Sequence, residues 1–304
     1  MNKDSRIWIA GHTGLVGSAI HRKLIAEGYA NIITRTHQEL HLDRYSEVVR
    51  FLAMEAPEYV FLCAASVGGV NALNTYRADV IYNNLAIQNN VIYLSKIFKV
   101  KKLMFFGSNC LYPKLCAQPI KEEYLLSGKL EPTTESYAIA KIAGIKMCEA
   151  YRTQYGCNFI TLLPVNLYGQ NDNHDLSTSH VMPALLTKFK NAIKNNEPEV
   201  EIWGTGQARR EFMHVDDLAD ASLWAMLNYN EAQPINIGTG EDIAIGSLAV
   251  MIKEISGYPG AIKFDRTKPE GIMSKLLDVS KLHNLGWKHK IGLAEAIKME
   301  FDRL

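Results

Sequence analysis

A surplus of either charge is missing from this sequence: 33 Lys+Arg face 32 Asp+Glu, a formal net charge of +1 over 304 residues. A near-neutral sum supplies no global field for a nucleic-acid backbone or an anionic membrane, so neither partner is expected. Local clusters cancel in such a sum, so a basic groove for a phosphorylated small molecule remains open. Cysteine is sparse as well. The five are Cys63, Cys110, Cys116, Cys148 and Cys157, and no two have C-x-x-C spacing. An odd, unpaired set predicts free thiols in a reducing compartment, with neither a disulfide frame nor a metal site. No stretch approaches the ~18 apolar residues of a membrane span. The opening MNKDSRIWIAGHTG breaks at Gly11 after a short apolar strand, which is too short for the core of a signal peptide. Internal repeats and low-complexity tracts are also lacking. The expectation is a soluble, cytoplasmic protein.

What is present is a large apolar fraction, 47% against 21% charged, enough for one large or two moderate domains. Short apolar runs at 6–10, 31–34, 59–66, 102–108 and 159–166 read as strands. Between them, 14–28, 47–55, 79–98 and 137–156 carry helical patterns. Strand–helix alternation predicts βαβ units and a parallel sheet, and near-continuous apolar strands predict helices on both faces. After Gly169 a polar, turn-rich stretch, GQNDNHDLSTSH, marks a crossover, and later elements are less regularly spaced. The expected fold is α/β: a Rossmann-type doubly wound parallel sheet with a smaller C-terminal α/β substrate domain. Residues 1–170 would form the dinucleotide-binding domain, with returning segments near 210–240, and 171–304 mainly the substrate domain.

The stretch IAGHTGLVGSAI places Gly11, Gly14 and Gly17 between the first strand and the first helix. Glycines there allow a sharp turn and let a pyrophosphate approach the helix N-terminus, where free N–H groups and the dipole favour anions. The spacing is G-x-x-G-x-x-G, and an ordinary βα turn is the other reading. At the end of the second strand stands Arg35, with no acid before Glu39. An arginine there suits the 2′-phosphate of NADP, where an acid would suit NAD. Asp43 fits either an adenine amino group or a helix N-cap.

ESYAIAKIAG sets Tyr137 and Lys141 one helical turn apart, on one face. An ammonium beside a phenol favours the phenolate and makes a hydroxyl of pKa ~10 usable as a general acid toward a carbonyl. By itself Tyr-x-x-x-Lys is a common surface pair. Here it opens the helix after the fourth strand, whose end, GSNCLYP, carries Ser108 and Cys110. In parallel sheets ligands bind beyond the carboxyl ends of the strands, so the glycine loop, the serine and the pair share one rim.

Together these features resemble the extended short-chain dehydrogenases/reductases that act on nucleotide sugars. GSNCLYPKLCAQPIKEEYLLSGKLEPTTESYAIAKIAGIKMCE, AASVGGVNALNTYRADVIYNN, LLPVNLYGQNDN, SHVMPALL and REFMHVDDLADA are similar to the GDP-L-fucose synthase branch of that family, over nearly the whole chain. The resemblance implies 3,5-epimerisation and NADPH-dependent 4-reduction of GDP-4-keto-6-deoxy-D-mannose. Tyr137 and Ser108 would contact the substrate oxygen, and Lys141 would hold the nicotinamide ribose. The epimerising acid–base pair maps onto Cys110 and His180, with the two roles unassigned. The cofactor set extends to His12, Thr13, Leu15 and Val16 in the glycine loop, to Ala64 and Ala65, to Pro164, Asn166 and Leu167, and to His180. Arg210 would neutralise a pyrophosphate, for which a guanidinium fork is suited. Asn166 would line the sugar pocket, and Glu270 and Lys188 fall at nucleotide- and phosphate-binding positions. Trp203 would stack on guanine or ribose, or else pack in a core. Thr13 replaces a basic residue of relatives, which leaves Arg35 as the main 2′-phosphate contact. The family also implies a homodimer through the helices near 79–98 and 137–155. Two rivals are an NAD-dependent nucleotide-sugar 4-epimerase or 4,6-dehydratase, and a non-catalytic NADP-sensing module. Dehydratases place an acid beside the strand-end serine, where this chain has Asn109 and Cys110. Sensing modules commonly lose the Tyr–Lys pair.

Overall fold

The computed structural model describes residues 1–268 and 271–304. IWIA, at Ile7–Ala10 (β1), is buried at all four positions, as a strand covered on both faces must be. The chain continues through α1 (Leu15–Ala26), β2 (Ile32–Arg35), α2 (Tyr45–Glu55), β3 (Tyr59–Leu62), α3 (Val70–Thr75), α4 (Arg77–Ile97), β4 (Lys102–Phe106), α5 (Glu135–Tyr155) and β5 (Phe159–Pro164). It then runs through β6 (Asn166–Tyr168), α6 (Val181–Asn195), β7 (Glu199–Trp203), β8 (Arg209–His214), α7 (Val215–Asn228), β9 (Ile235–Ile237) and β10 (Asp242–Ala244). Last come α8 (Ile245–Ser256), β11 (Ala261–Asp265), α9 (Ser280–Asn284) and α10 (Leu293–Arg303).

One six-stranded sheet has the order β2-β1-β3-β4-β5-β9, parallel throughout. Strand order reverses beside β1, with β2 on one side and β3 on the other, and a crevice opens at such a reversal beyond the carboxyl ends. Helices α4 and α5 pack against each other on the sheet. A Cβ at Gly144 would lie 2.4 Å from the Phe105 ring, so the helix seats directly on β4. Gln88 of α4 donates to the Ala140 carbonyl of α5 at 2.6 Å. Helix α7 packs on α1, where Arg22 meets Asp216 at 2.7 Å and Lys23 meets Asp220 at 2.9 Å. A second core lies among α6, α8, α10 and the strands beside them, with Phe189, Ile202, Leu248 and Ile297 inside it. Around that core run a three-stranded sheet, β10-β8-β6, and a two-stranded one, β11-β7.

Several boundaries differ from the sequence reading. The third strand stops at Leu62, not Ser66, because residues 63–66 leave the ladder to wall the cleft. The fifth run splits at Val165, whose N–H makes a last bond to Ile237 at 3.0 Å before Asn166 pairs with Phe212 in the other sheet. All five cysteines are free thiols. Among the described residues no helix is long and apolar enough to cross a membrane, and no cluster of His, Cys, Asp and Glu is placed to hold a metal ion.

Candidate active site

A cleft of about 1120 Å³ opens at the carboxyl ends of the parallel strands. Its floor at one end is the turn between β1 and α1. Gly11 has φ +91°, and a Cβ there would lie 2.7 Å from the Ala64 nitrogen, so β1 and β3 close up only around a glycine. A Cβ on Gly17 would come within 2.1 Å of the Gly11 carbonyl oxygen, so α1 begins tight against the turn. Gly14 is the N-cap and no side chain caps it. The N–H groups of this first turn therefore face the cleft beside Thr13, Leu15 and Val16. That cradle, with Ala64 and Ala65 opposite, fits the pyrophosphate of a dinucleotide. His12 is not among the residues lining the cleft: its Nδ1 is buried with no partner among the described residues, and its ring meets His21 edge-on. Arg35 and Asp43 line the cleft further out. The Arg35 guanidinium is engaged by Glu55, and it also donates to the Thr34 carbonyl at 2.7 Å.

Ser108, two residues past the end of β4, is extended, and its Oγ accepts the Cys110 N–H at 3.3 Å, holding a single 3-10 turn over Asn109–Leu111. Tyr137 and Lys141 project from the first turns of α5 into the same space, and both are buried. Neither polar end has a hydrogen-bond partner among the described residues; the Lys141 ammonium lies 4.5 Å over the Phe105 ring. Buried, unpaired polar ends facing a cleft are what a ligand site requires, since they would otherwise carry an uncompensated desolvation cost. Electrostatically the pair departs from the sequence reading. Burial drives the Tyr137 phenol above its ordinary range and the neighbouring Cys110 adds to that, while burial pulls Lys141 down to about 8 against the opposing pull of the Cys63, Cys110 and Cys148 thiols. Burial therefore sets the direction at both groups, and the Tyr137 phenol stands as a proton donor.

Cys110 is half-buried beside Tyr137. Across the cleft, His180 is the N-cap of α6, open to solvent but flanked by protein, and that partial desolvation lowers its pKa. A neutral imidazole there can take a proton. Pro164, Asn166 and Leu167 form the adjoining wall, with the Asn166 amide donating to the Glu211 carbonyl at 2.9 Å. Arg210 closes the far end against Gly271.

Lys188 and Trp203 lie elsewhere. Lys188 donates to the Glu201 carbonyl at 2.8 Å and stands 5.6 Å over the indole of Trp203, which is half exposed on β7. Glu270 falls outside the described residues. The structure adds cleft residues with no motif to announce them: Lys275, whose pKa burial lowers; the ion pair Lys114–Glu131 at 3.0 Å; and His37 with His41.

Fold and cleft together define a dinucleotide-binding enzyme of the Rossmann type. The chain belongs to the NAD dependent epimerase/dehydratase family, whose sequence pattern matches residues 7–238. It is 50% identical to GDP-L-fucose synthase 1 of Arabidopsis thaliana, over 99% of this chain and 93% of that one. It is also 50% identical to GDP-L-fucose synthase of Escherichia coli K12, over 98% and 95%. Among solved structures, a GDP-6-OMe-4-keto-L-xylo-heptose reductase from C. jejuni superposes with a TM-score of 0.94 at 43% identity, covering 100% of this chain and 98% of that one. A GDP-L-fucose synthetase from Naegleria fowleri bound to NADP gives a TM-score of 0.92 at 27% identity, covering 99% and 94%.

Proposed function

We propose that this chain is a GDP-L-fucose synthase, converting GDP-4-keto-6-deoxy-D-mannose to GDP-L-fucose by 3,5-epimerisation and NADPH-dependent 4-reduction. The observation that carries the reading is the buried, unpartnered Tyr137–Lys141 pair beside Cys110, on the same cleft as the uncapped α1 N-terminus. Full-length relatives at 50% identity support it.

The first turn of α1 and the glycine loop would hold the cofactor's pyrophosphate, and Lys141 would hold its nicotinamide ribose. Bound NADPH supplies a hydride to the substrate's C4. A 4-keto group acidifies the protons on C3 and C5, so Cys110 and His180 remove and return protons at those carbons. Ser108 and Tyr137 hydroxyls donate to the C4 oxygen while it carries enolate charge. When C4 accepts the hydride pair, Tyr137 gives its proton to that same oxygen, and the ketone becomes an alcohol. A protonated phenol suits that donation, and Lys141 offsets the phenolate left behind. Arg210 and Lys275 line the cleft where they would meet the diphosphate, whose charge would favour the protonated form of Lys275. The exposed Tyr82, Ile97 and Ile139 of α4 and α5 support a homodimer through those helices.

A second reading is a C4-reductase of a GDP-keto-heptose without epimerisation, favoured by the 43% identity to the C. jejuni reductase. One experiment separates the two: incubate the protein with GDP-4-keto-6-deoxy-D-mannose and NADPH, then NADH, and assign the product's ring configuration by NMR. GDP-L-fucose is the expected product. A 4-reduced sugar with C3 and C5 unchanged leaves only the reductase, and no NADPH oxidation with this sugar sinks the fucose-synthase reading.

A further inference from the structure

We propose that His37 and His41, with Arg35, read the cofactor's 2′-phosphate, so that preference for NADPH over NADH strengthens as pH falls through the imidazole range. The inference rests on the NADP reading above. Dinucleotide folds discriminate the 2′ position at the end of the second strand, and these residues occupy that place. Arg35 alone is a compromised reader, because Glu55 already engages its guanidinium. Thr13, in the glycine loop, brings no charge. His37 and His41 both line the cleft with their rings edge to face, centroids 4.7 Å apart at 73°. Among the described residues no group takes a ring nitrogen of either one, so both can donate to a phosphate.

The charges around the pair make its protonation matter. On its own loop Glu39 accepts from the Thr36 N–H at 2.7 Å, and Asp43 lines the cleft. From α2, Glu47 accepts the His41 backbone N–H at 3.0 Å, while Glu55 holds Arg35. Arg44 pairs with Glu47 at 2.9 Å, and His12 stands behind in the glycine loop, near Glu39. Four carboxylates thus face two guanidiniums, and a phosphate dianion meets a net negative rim. Two imidazolium charges bring the rim to balance. Imidazole is the side chain whose charge can change within the physiological pH range. Binding a phosphate favours the charged form, so affinity is gained as pH falls and lost as it rises.

The test is calorimetric titration of the full chain with adenosine 2′,5′-bisphosphate and with 5′-AMP, at pH 6.5 and pH 8.5. The ratio of the two dissociation constants cancels the shared 5′-phosphate. A phosphate monoester has its second pKa at ~6, so the 2′ group is mostly dianionic at both pH values. The bisphosphate's advantage is expected to be about tenfold or more larger at pH 6.5, the equivalent of ~1.4 kcal/mol. In the His37→Gln/His41→Gln double variant, AMP binding should persist and the pH response of the ratio should collapse. A ratio that ignores pH in the natural chain, or an undiminished response in the double variant, overturns the proposal while leaving the dinucleotide site standing. Failure of both nucleotides to bind at either pH removes the dinucleotide reading itself, and the histidine assignment with it.

Discussion

The Glu211 carboxylate accepts the backbone N–H of Leu277 at 2.9 Å, from a position with no solvent exposure. Its other oxygen accepts the N–H groups of Thr239 at 2.6 Å and Gly240 at 2.8 Å. Arg210 precedes Glu211 on β8, and Lys275 stands two residues before Leu277; both line the cleft. One buried carboxylate thereby ties together the two distant segments that carry Arg210 and Lys275 to the cleft. Asn236 adds to the knot: its amide donates to the carbonyls of Ile120 at 2.9 Å and Asp278 at 3.0 Å, and its oxygen accepts the Tyr112 hydroxyl at 2.6 Å.

Glu211→Gln turns one acceptor oxygen into an N–H facing another N–H. A buried donor left unpaired costs ~1–3 kcal/mol, so the variant should melt a few degrees lower. More telling, KM for the GDP-sugar should rise about tenfold as the 271–277 segment loosens, a loss of ~1.4 kcal/mol of uniform binding, with NADPH affinity unchanged. Steady-state kinetics beside a fluorescence titration of NADPH would show it. A lower melting temperature with an unmoved KM would make Glu211 a fold residue only.

Tyr137→Phe should abolish ketone reduction, a loss of about 10²–10⁴-fold in kcat, while NADPH still binds. Because the hydroxyl has no hydrogen-bond partner among the described residues, its removal should leave the melting temperature equal or slightly higher. Rapid-mixing measurement of NADPH oxidation together with thermal melts would test both halves. Lower stability would mean that the hydroxyl has a structural partner.

The parts of this molecule legible in the sequence are local ones. β1, β3 and β4 are apolar runs, Gly11–Gly17 sits at one turn, and Tyr137 and Lys141 are neighbours on one helix. Spacing along the chain captures such features because the backbone itself brings them together. Glu211, Lys275, Lys114 and Glu131 meet only through tertiary packing, and no spacing announces them. Burial is also invisible at that level, which is why the Tyr137 shift runs opposite to the simple lysine argument. Trp203 could have been placed better. EVEIW on β7 alternates exposed and buried, and that period of two puts Trp203 on the outer face with Glu199 and Glu201.

Cys110→Ser should stall proton exchange on the sugar, because an alcohol is a far weaker acid than a thiol. In D2O the natural chain should introduce deuterium at C3 and C5, and the variant should do so about 10²-fold more slowly. Proton NMR of the recovered sugar reads the exchange directly, separately from NADPH oxidation. Unchanged deuterium uptake would take Cys110 out of the epimerisation step.

The loop between β6 and α6 carries a further titratable group. Asp172 has one oxygen accepting the Asn173 N–H at 2.8 Å and the other buried with no partner. Burial is the largest cause raising its pKa to about 7, and the nearby Glu300 adds to it. In the unfolded chain the group ionises at ~3.9. Between those values the folded state binds the proton that the unfolded state has released, so stability falls as pH rises through that window. Asp172→Asn keeps the shape without the charge. At pH 5 the folded chain still holds this proton and most of the loss has yet to accrue, so the variant should melt only slightly above the natural chain. At pH 8.5 the natural chain buries a carboxylate, and the variant should melt several degrees higher. The loop ends at His180, so the same loosening above pH 7 should speed its proteolysis in the natural chain and not in the variant. Melting curves that stay parallel at both pH values would show that Asp172 ionises in solvent-like surroundings.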